Sequence, residues 1–244
     1  CHVGKWHLNG RFNLAGQPQP SDHGFDYWFS TQNNALPSHR DPDNFVRNGK
    51  AVGPMKGYSC QLVMDEALSW LKKQQAKDAA QPFFLYVPWN SPHSPVVPTK
   101  KWQGKSKLNS HADFVMQTDD SFGQVIQALK DTSHFENTLV ICSADNGTSG
   151  PTSKMADLIK KGHHPSANLR GSKADIWDGG HRVPFIASWP KVIEPGRKTD
   201  AIVCLTDLMA TCAALTGAKL PAKAAEDSFN ILPVLLGKQP EAKP

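Results

Sequence analysis

Apolar residues recur at helical spacing in two stretches of the chain. In "CQLVMDEALSWLKKQQAK", Cys60, Val63, Met64, Ala67 and Leu71 fall at i, i+3, i+4 and beyond, which predicts an amphipathic helix over 60–77. Val115, Phe122, Val125, Ile126 and Leu129 form the apolar stripe of a second helix over 111–131. Elsewhere apolar residues run together. "PFFLYVPW" (82–89), Leu139 to Cys142, "RVPFIASWP" (182–190) and "AIVCL" (201–205) read as buried strands. "FVRNGKAV" (45–52) reads as a small hairpin turning at Asn48-Gly49. A last helix is predicted from an N-cap at Thr206 to a C-terminal Gly217. Residues 8–58 are loop-rich around that hairpin, and 147–169 read as a long polar loop.

Helices alternating with all-apolar strands predict an α/β protein. Its sheet should be mostly parallel and covered by helices on both faces. Residues 82–146 read as strand–helix–strand with a parallel crossover. In such sheets ligands bind beyond the carboxyl ends of the strands, so the loops that follow strands are where chemistry is expected.

Composition narrows the classes. The formal charge of +5 is mild and no long Lys/Arg block is present, so a nucleic-acid partner is not expected, while a local site for an anion remains open. No apolar run approaches the roughly 18 residues of a membrane span. Cysteines stand at 1, 60, 142, 204 and 212, without C-x-x-C spacing. Cys142, Cys204 and Cys212 sit in apolar or helical patterns and read as small buried hydrophobes, not as a disulfide framework.

Several residues could carry chemistry. Asp145-Asn146 follows a strand and offers hard oxygen donors suited to calcium or magnesium; a zinc site would show His or Cys. With Gly147 the pair is also ordinary Asx-turn chemistry, and Asn146-Gly147-Thr148 is a formal glycosylation sequon. His93 lies in "SPHSP", where flanking prolines restrict the backbone and could hold a histidine for proton transfer or anion contact. Lys5 and His7 are two apart, so in an extended segment both face one side while Trp6 faces the core. Lys173 sits in "LRGSKADIWDGGHRVP", whose Gly171, Gly179 and Gly180 permit close backbone approach. Each has a plain alternative: a loop histidine, an edge strand, a solvated lysine. His163-His164 read as solvent-facing or substrate-side.

The order of these blocks is more specific than any one of them. "GKWHLNG", "SPHSP", "ADNG" and "LRGSK" with "DGGHRVPFIASWP" resemble, at these separations, the sulfatase family of the alkaline-phosphatase-like superfamily. "HGFDYWF", "FVRNGK", "DDSFGQVIQAL", "LTDLMATCAALTG" and "DSFNILPVLLG" extend the resemblance over nearly the whole chain. It implies an alkaline-phosphatase-like α/β fold. It also implies that Lys5 and His7 contact sulfate and a catalytic aldehyde hydrate. His93 would bind sulfate or protonate the leaving oxygen, Asp145 and Asn146 would ligate calcium, and Lys173 would touch sulfate. A sulfuryl group in transfer concentrates negative charge on its oxygens, which a hard cation and two lysines can stabilise.

The departures shape the expectation. The family's C-x-P-x-R block, whose cysteine becomes the nucleophilic formylglycine, and its Asp-Asp calcium ligands are not in these 244 residues. Cys1 is followed by His-Val-Gly-Lys and is not read as that nucleophile. Asp178 stands where the family more often has Glu. The chain is therefore read as a truncated catalytic domain over 1–237, with a polar tail at 238–244 leading into a missing region. The expected activity of the longer protein is calcium-dependent hydrolysis of a sulfate ester, on a sulfated small molecule or glycan, by an exported enzyme of the periplasm, exterior or lysosome. The fragment itself is expected to be inactive and marginally stable. The alternatives are a phosphodiesterase or phosphonate hydrolase of the same superfamily, and a non-catalytic sulfate- or glycan-binding relative. Oligomeric state is left open.

Overall fold

The computed structural model describes residues 1–77 and 81–241; the end of the polar tail predicted at 238–244 lies outside them. Two compact units are seen. The first comprises Cys1–Thr132 with Asp145–Val183, the second Ser133–Ala144 with Pro184–Pro244.

The first unit is built on a four-stranded sheet in the order β1 (His2–Lys5), β2 (Trp28–Thr31), β3 (Val46–Arg47), β4 (Lys50–Ala51). β1 and β2 are parallel, with Val3 opposite Phe29 and Lys5 opposite Thr31. β3 and β4 form the predicted hairpin, and Asn48 and Gly49 both take positive φ (46° and 80°), as a tight two-residue turn demands. Residues 84–88 run alongside β1 in parallel: Tyr86 N–H donates to the Cys1 carbonyl, and Val3 and Lys5 N–H groups donate to the Tyr86 and Pro88 carbonyls. This segment is not the fully buried strand expected at 82–89. Pro88 cannot donate to a ladder, and Phe84 and Tyr86 are 62% and 49% exposed.

α1 (Ser59–Lys77) covers one sheet face. All five residues of its predicted stripe are buried, and Val63 and Ala67 join Val3, Phe29 and Phe45 in one core. Truncating Met64 or Leu71 in that seam should cost about 2–5 kcal/mol. The opposite face is covered by an aromatic group, Trp6, Phe12 and Trp28 with Val46. α2 (Ser110–Asp131) packs against α1, capped by Asn109 Oδ1, which accepts from Ala112 N–H at 3.0 Å. Its stripe differs from the prediction. Val115 is 43% exposed, whereas Phe114, Gln117 and Ser121 are buried. Hydrogen bonding explains the polar pair: Gln117 accepts from Thr99 N–H and donates to Cys60 Sγ, and Ser121 donates to the Gln117 carbonyl. The region read as a loop at 147–169 contains two short helices, α3 (Gly150–Ser153) and α4 (Met155–Lys160), and α5 (Asp178–His181) follows.

In the second unit β5 (Val140–Ser143) pairs antiparallel with β6 (Phe185–Ser188). Among the described residues no ladder joins 82–89 to β5, so the crossover expected over 82–146 is not seen as strand pairing. α6 (Asp207–Thr216) ends at Gly217 in the left-handed region, as predicted. Thr206 makes no side-chain cap. Asp207 instead accepts from the Cys204 and Phe229 N–H groups. The run 201–205 forms no strand, and Ile202 is 93% exposed. α7 (Leu232–Leu235) buries Val234 beside Ile231. Of the cysteines, only Cys1 and Cys60 are buried; Cys204 and Cys212 are exposed and Cys142 is intermediate, and all five thiols are free. The α/β class holds, with parallel pairing centred on β1 and antiparallel pairing elsewhere. Among the described residues no helix is long and apolar enough to cross a membrane.

Two buried histidines predict an acid-sensitive first unit. His2 is fully buried with Nδ1 2.7 Å from Ser30 Oγ, and burial lowers its pKa from 6.5 to about 4. His39 lies similarly against Ser59 and is lowered in the same direction, mainly by burial. Between pH 6.5 and about 4 the unfolded His2 binds a proton that the folded one refuses, so stability falls as pH drops through that window. The full cost from His2 is on the order of 3 kcal/mol. Denaturant midpoints measured from pH 7.5 to 4.5 should fall more shallowly for His2→Gln than for the unmodified chain. Parallel curves would assign the acid sensitivity elsewhere.

Candidate active site

β1 delivers Lys5 half-buried at its carboxyl end. Gly4 before it has φ +131°, and a Cβ there would lie 2.1 Å from the Pro88 carbonyl oxygen. Only glycine permits that approach. It lets Lys5 N–H donate to Pro88 O at 2.8 Å, joining the end of β1 to the loop that carries His93. Beyond Lys5 the strand stops. Trp6 is buried, with its indole N–H donating to the Pro18 carbonyl at 3.0 Å, and His7 turns into the left-handed region at φ 57°. Lys5 and His7 therefore do not share a face of one extended strand, as their spacing suggested. A backbone kink, costing about 1–2 kcal/mol for a residue with a Cβ, sets the direction of His7.

The His93 loop is pinned from below. Asn90 is buried, and its Nδ2 donates to Thr31 Oγ1 and to the Asn33 carbonyl, each at 2.9 Å. His93 N–H donates to Asn90 O at 3.2 Å. On the ring, Nδ1 lies 3.1 Å from Asn34 Nδ2 and 2.9 Å from the Ser94 carbonyl. Nδ1 is thus occupied by protein, and among the described residues nothing hydrogen-bonds Nε2. Asn34 and Asn90 were not singled out in the sequence. The available signal was their place at the ends of extended segments, in "STQNN" and "VPWN".

Asp145 and Asn146 follow β5 as expected. Asn146 Nδ2 donates to the Gly147 carbonyl at 3.0 Å. Gly147 N–H donates to Gly180 O at 2.9 Å, and a Cβ on Gly147 would sit 1.9 Å from Gly179 O. Lys173 N–H donates to Thr148 O at 2.9 Å. The turn carrying Asp145 and the loop carrying Lys173 are thus locked backbone to backbone. Arg170 lies over the Trp177 ring at 3.6 Å, and Asp175 accepts from Ser172 N–H at 2.8 Å, which holds the loop's shape.

Charge shows which of these groups lie within electrostatic range of one another. The pKa of His7 is pushed below its ordinary value by desolvation and by Lys5; Asp145 pulls it up, and His93 and Lys173 push it down. Lys5 is likewise lowered by desolvation, with Asp145 opposing and Lys173 adding to the shift. Five sequence-predicted residues, Lys5, His7, His93, Asp145 and Lys173, therefore lie in one electrostatic neighbourhood of the first unit, with Asn146 beside Asp145. Burial raises the Tyr86 pKa, and Asp145 adds to the shift. His163 and His164 are exposed and have no part in it. Asp178 lies 3.9 Å from both His181 and Arg182.

Asp145 and Asn146 supply one carboxylate and one amide oxygen, and no described residue hydrogen-bonds the Asp145 carboxylate. Hard cations such as calcium take six to eight oxygens, so the pair fits part of such a shell. Among the described residues no group of three or more His, Cys, Asp or Glu could hold a metal. None of the five cysteines fits the precursor of a formylglycine nucleophile.

Comparison with known proteins bears on the family. A family model described as Sulfatase matches residues 1–218. The chain is 32% identical over 259 residues to N-acetylgalactosamine-6-sulfatase of Canis lupus familiaris, covering 99% of this chain and 47% of that protein. It is 33% identical over 204 residues to N-acetylgalactosamine-6-O-sulfatase of Bacteroides thetaiotaomicron, covering 80% of this chain and 40% of that protein. A solved structure concerned with metabolism of multiple glycosaminoglycans by Bacteroides thetaiotaomicron superposes with a TM-score of 0.85 at 25% identity, over 99% of this chain and 62% of the other. The chain thus spans less than half the length of these two curated relatives.

The cluster has a direct electrostatic readout. Because Lys5 and Lys173 push the His7 pKa down and Asp145 pulls it up, Lys5→Ala and Lys173→Ala should each raise it. Asp145→Asn should lower it further. NMR titration of the His7 ring protons reads all three, and an unmoved titration in Lys173→Ala and Asp145→Asn would mean the segments do not meet.

Proposed function

The chain belongs to the sulfatase family, and from that premise we propose that the protein hydrolyses a sulfate ester on a sulfated carbohydrate. The observation that carries the proposal is the shared electrostatic neighbourhood of Lys5, His7, His93, Asp145 and Lys173, drawn from four separate segments. Three kinds of group are gathered there, as sulfate chemistry demands. Lys5 and Lys173 are cations placed to hold sulfate oxygens. Partial desolvation of Lys5 strengthens that attraction.

His93 is the proposed proton donor to the leaving oxygen. Its Nδ1 is held by Asn34 and the Ser94 carbonyl, which leaves Nε2 for substrate. His7, displaced below its usual pKa, is neutral near pH 7 and is assigned a hydrogen-bonding role beside Lys5. Asp145 and Asn146 would hold calcium through their side-chain oxygens, and the ion would supply further positive charge toward the sulfate. No step is assigned to formylglycine from this chain, since no cysteine here fits its precursor. The names of the relatives, N-acetylgalactosamine-6-sulfatases, support a sulfated amino sugar as substrate, and export or a lysosomal location accords with such a substrate. The 244-residue chain by itself should not turn over aryl sulfates above a Lys5→Ala control.

A leaving-group series tests the assignment in the full-length protein. General acid catalysis contributes about 10²–10⁴-fold, and more as the leaving alkoxide becomes more basic. His93→Ala should therefore depress kcat on alkyl or sugar sulfates by at least about 100-fold and on nitrophenyl sulfate far less. Equal losses on both would reduce His93 to a sulfate-positioning residue. Full activity in Lys173→Ala would remove that lysine from the site.

A further inference from the structure

His39 is buried, at 1% exposure, and the proposed chemistry of the site gives it no task. Its Nδ1 lies 2.8 Å from Ser59 Oγ at the start of α1, and its carbonyl accepts from Ser59 N–H at 2.7 Å. Its ring meets Phe114 of α2 edge-on, with centroids 5.7 Å apart. Nε2 is buried too, yet no described residue hydrogen-bonds it. A neutral imidazole carries one donor and one acceptor, and when buried each normally has a partner.

The neighbour of that ring is the His93 loop. The Ser94 backbone acts on His39 in the direction that favours its protonated form, as a carbonyl beside a ring N–H does, and the His93 charge acts against it. α2 holds ring and loop together from behind: one turn after Phe114, Thr118 Oγ1 donates to Ser91 Oγ of the loop at 2.8 Å. Asn34 Nδ2 approaches the Ser94 carbonyl at 3.4 Å, and Asn44 Nδ2 donates to the Asn34 carbonyl at 2.9 Å. The segment that carries His39 is thus tied to the loop at both of its ends.

The Ser94 carbonyl matters because of what it asks of His93. Two neighbours of His93 Nδ1 make opposite demands. The Ser94 carbonyl, 2.9 Å away, can only accept, and it requires a proton on Nδ1. Asn34 Nδ2, 3.1 Å away, can only donate, and it requires a bare nitrogen. The hydrogen bond at one ring nitrogen decides the proton on the other. A histidine that gives its Nε2 proton to a leaving oxygen must keep one on Nδ1, or the ring would be left as an anion. Only the Ser94 arrangement meets that condition.

We propose that His39 is a positioning residue for His93: its Nε2–H holds the Ser94 carbonyl against His93 Nδ1, and this directs the transferable proton to His93 Nε2. That His93 has a proton to transfer rests on the sulfatase reading above. The Ser59 hydroxyl donates to His39 Nδ1, which sets the His39 proton on Nε2. In the transfer the His93 Nε2–H bond breaks and an O–H bond forms on the leaving oxygen. The ring, now neutral, keeps Nδ1–H on the Ser94 carbonyl. His39 touches neither the substrate nor the reacting atoms.

Ring-nitrogen shifts of the ¹⁵N-labelled 244-residue chain read the His93 tautomer without any substrate. In the unmodified chain neutral His93 should be mainly the Nδ1–H form. His39→Phe keeps a ring against Phe114 but has no donor, so the Nε2–H form favoured by Asn34 should grow several-fold. His39→Gln, whose amide N–H reaches the place of the ring Nε2–H, should restore the first form. Should His39→Phe fail to fold, Ser59→Ala, which removes only the hydroxyl at His39 Nδ1, should move the tautomer the same way. An unmoved tautomer in the folded variants, or a change in His39→Phe that His39→Gln does not reverse, would overturn the proposal and leave His39 a packing residue. In the full-length protein His39→Phe should lower kcat on alkyl sulfates about tenfold, the loss of one hydrogen bond, with KM and the turnover of nitrophenyl sulfate little changed. Equal loss on both substrates would contradict a role through the His93 proton. An unmodified full-length protein inert to every sulfate ester would refute the sulfatase reading, and the nitrogen shifts would still decide whether His39 sets the His93 proton.

Discussion

Two backbone contacts, each too close to admit a side chain, build the two halves of the candidate site. Gly4 lies against the Pro88 carbonyl and Gly147 against the Gly179 carbonyl. The first joins the end of β1, with Lys5 and His7, to the loop of His93. The second joins the turn of Asp145 and Asn146 to the loop of Lys173. In both places main-chain hydrogen bonds fix the approach, from Lys5 N–H to Pro88 O and from Gly147 N–H to Gly180 O. A Cβ at either glycine would force the backbones apart. At Gly4 it would also be strained by the positive φ.

These contacts do what charge cannot do alone. Lys5, Lys173, His7 and His93 are all actual or potential cations, and Asp145 is the one carboxylate among the site residues. Like charges repel, and the lowered values of Lys5 and His7 record both that repulsion and their desolvation. Such a group is stable only because rigid main chain imposes it. The left-handed backbone of His7 belongs to the same pattern of local strain tolerated at a site. A bound oxyanion would reverse the balance, giving each cation a partner.

The sequence made some of this legible for physical reasons. Asn48-Gly49 marked the hairpin because few other pairs accept positive φ twice. The 60–71 stripe marked α1 because every residue in it is apolar and buried. Asp145 and Asn146 were found because a turn after an apolar strand is where a sheet exposes polar groups. The site glycines 171, 179 and 180 were flagged for close approach, and Gly179 and Gly180 meet backbone oxygens within 2.3 Å of an added Cβ. The α2 stripe was misplaced because Gln117 and Ser121 are buried with their hydrogen bonds satisfied, which apolar periodicity does not register. Residues 201–205 are apolar without being a strand, since a strand also requires a partner ladder. The kink at His7 and the support of His93 by Asn34 and Asn90 depend on contacts between segments far apart in sequence, and no local pattern encodes them.

The central claim is that these separate segments form one anion site, and inorganic sulfate can test it directly on the 244-residue chain. Titrated with sulfate near pH 6.5, the ring protons of His7 and His93 should shift together along a single binding curve. The His7 pKa should rise as the anion offsets Lys5 and Lys173, and Lys173→Ala should weaken binding. Separate curves for the two histidines, or an affinity unaffected by Lys173→Ala, would contradict the account.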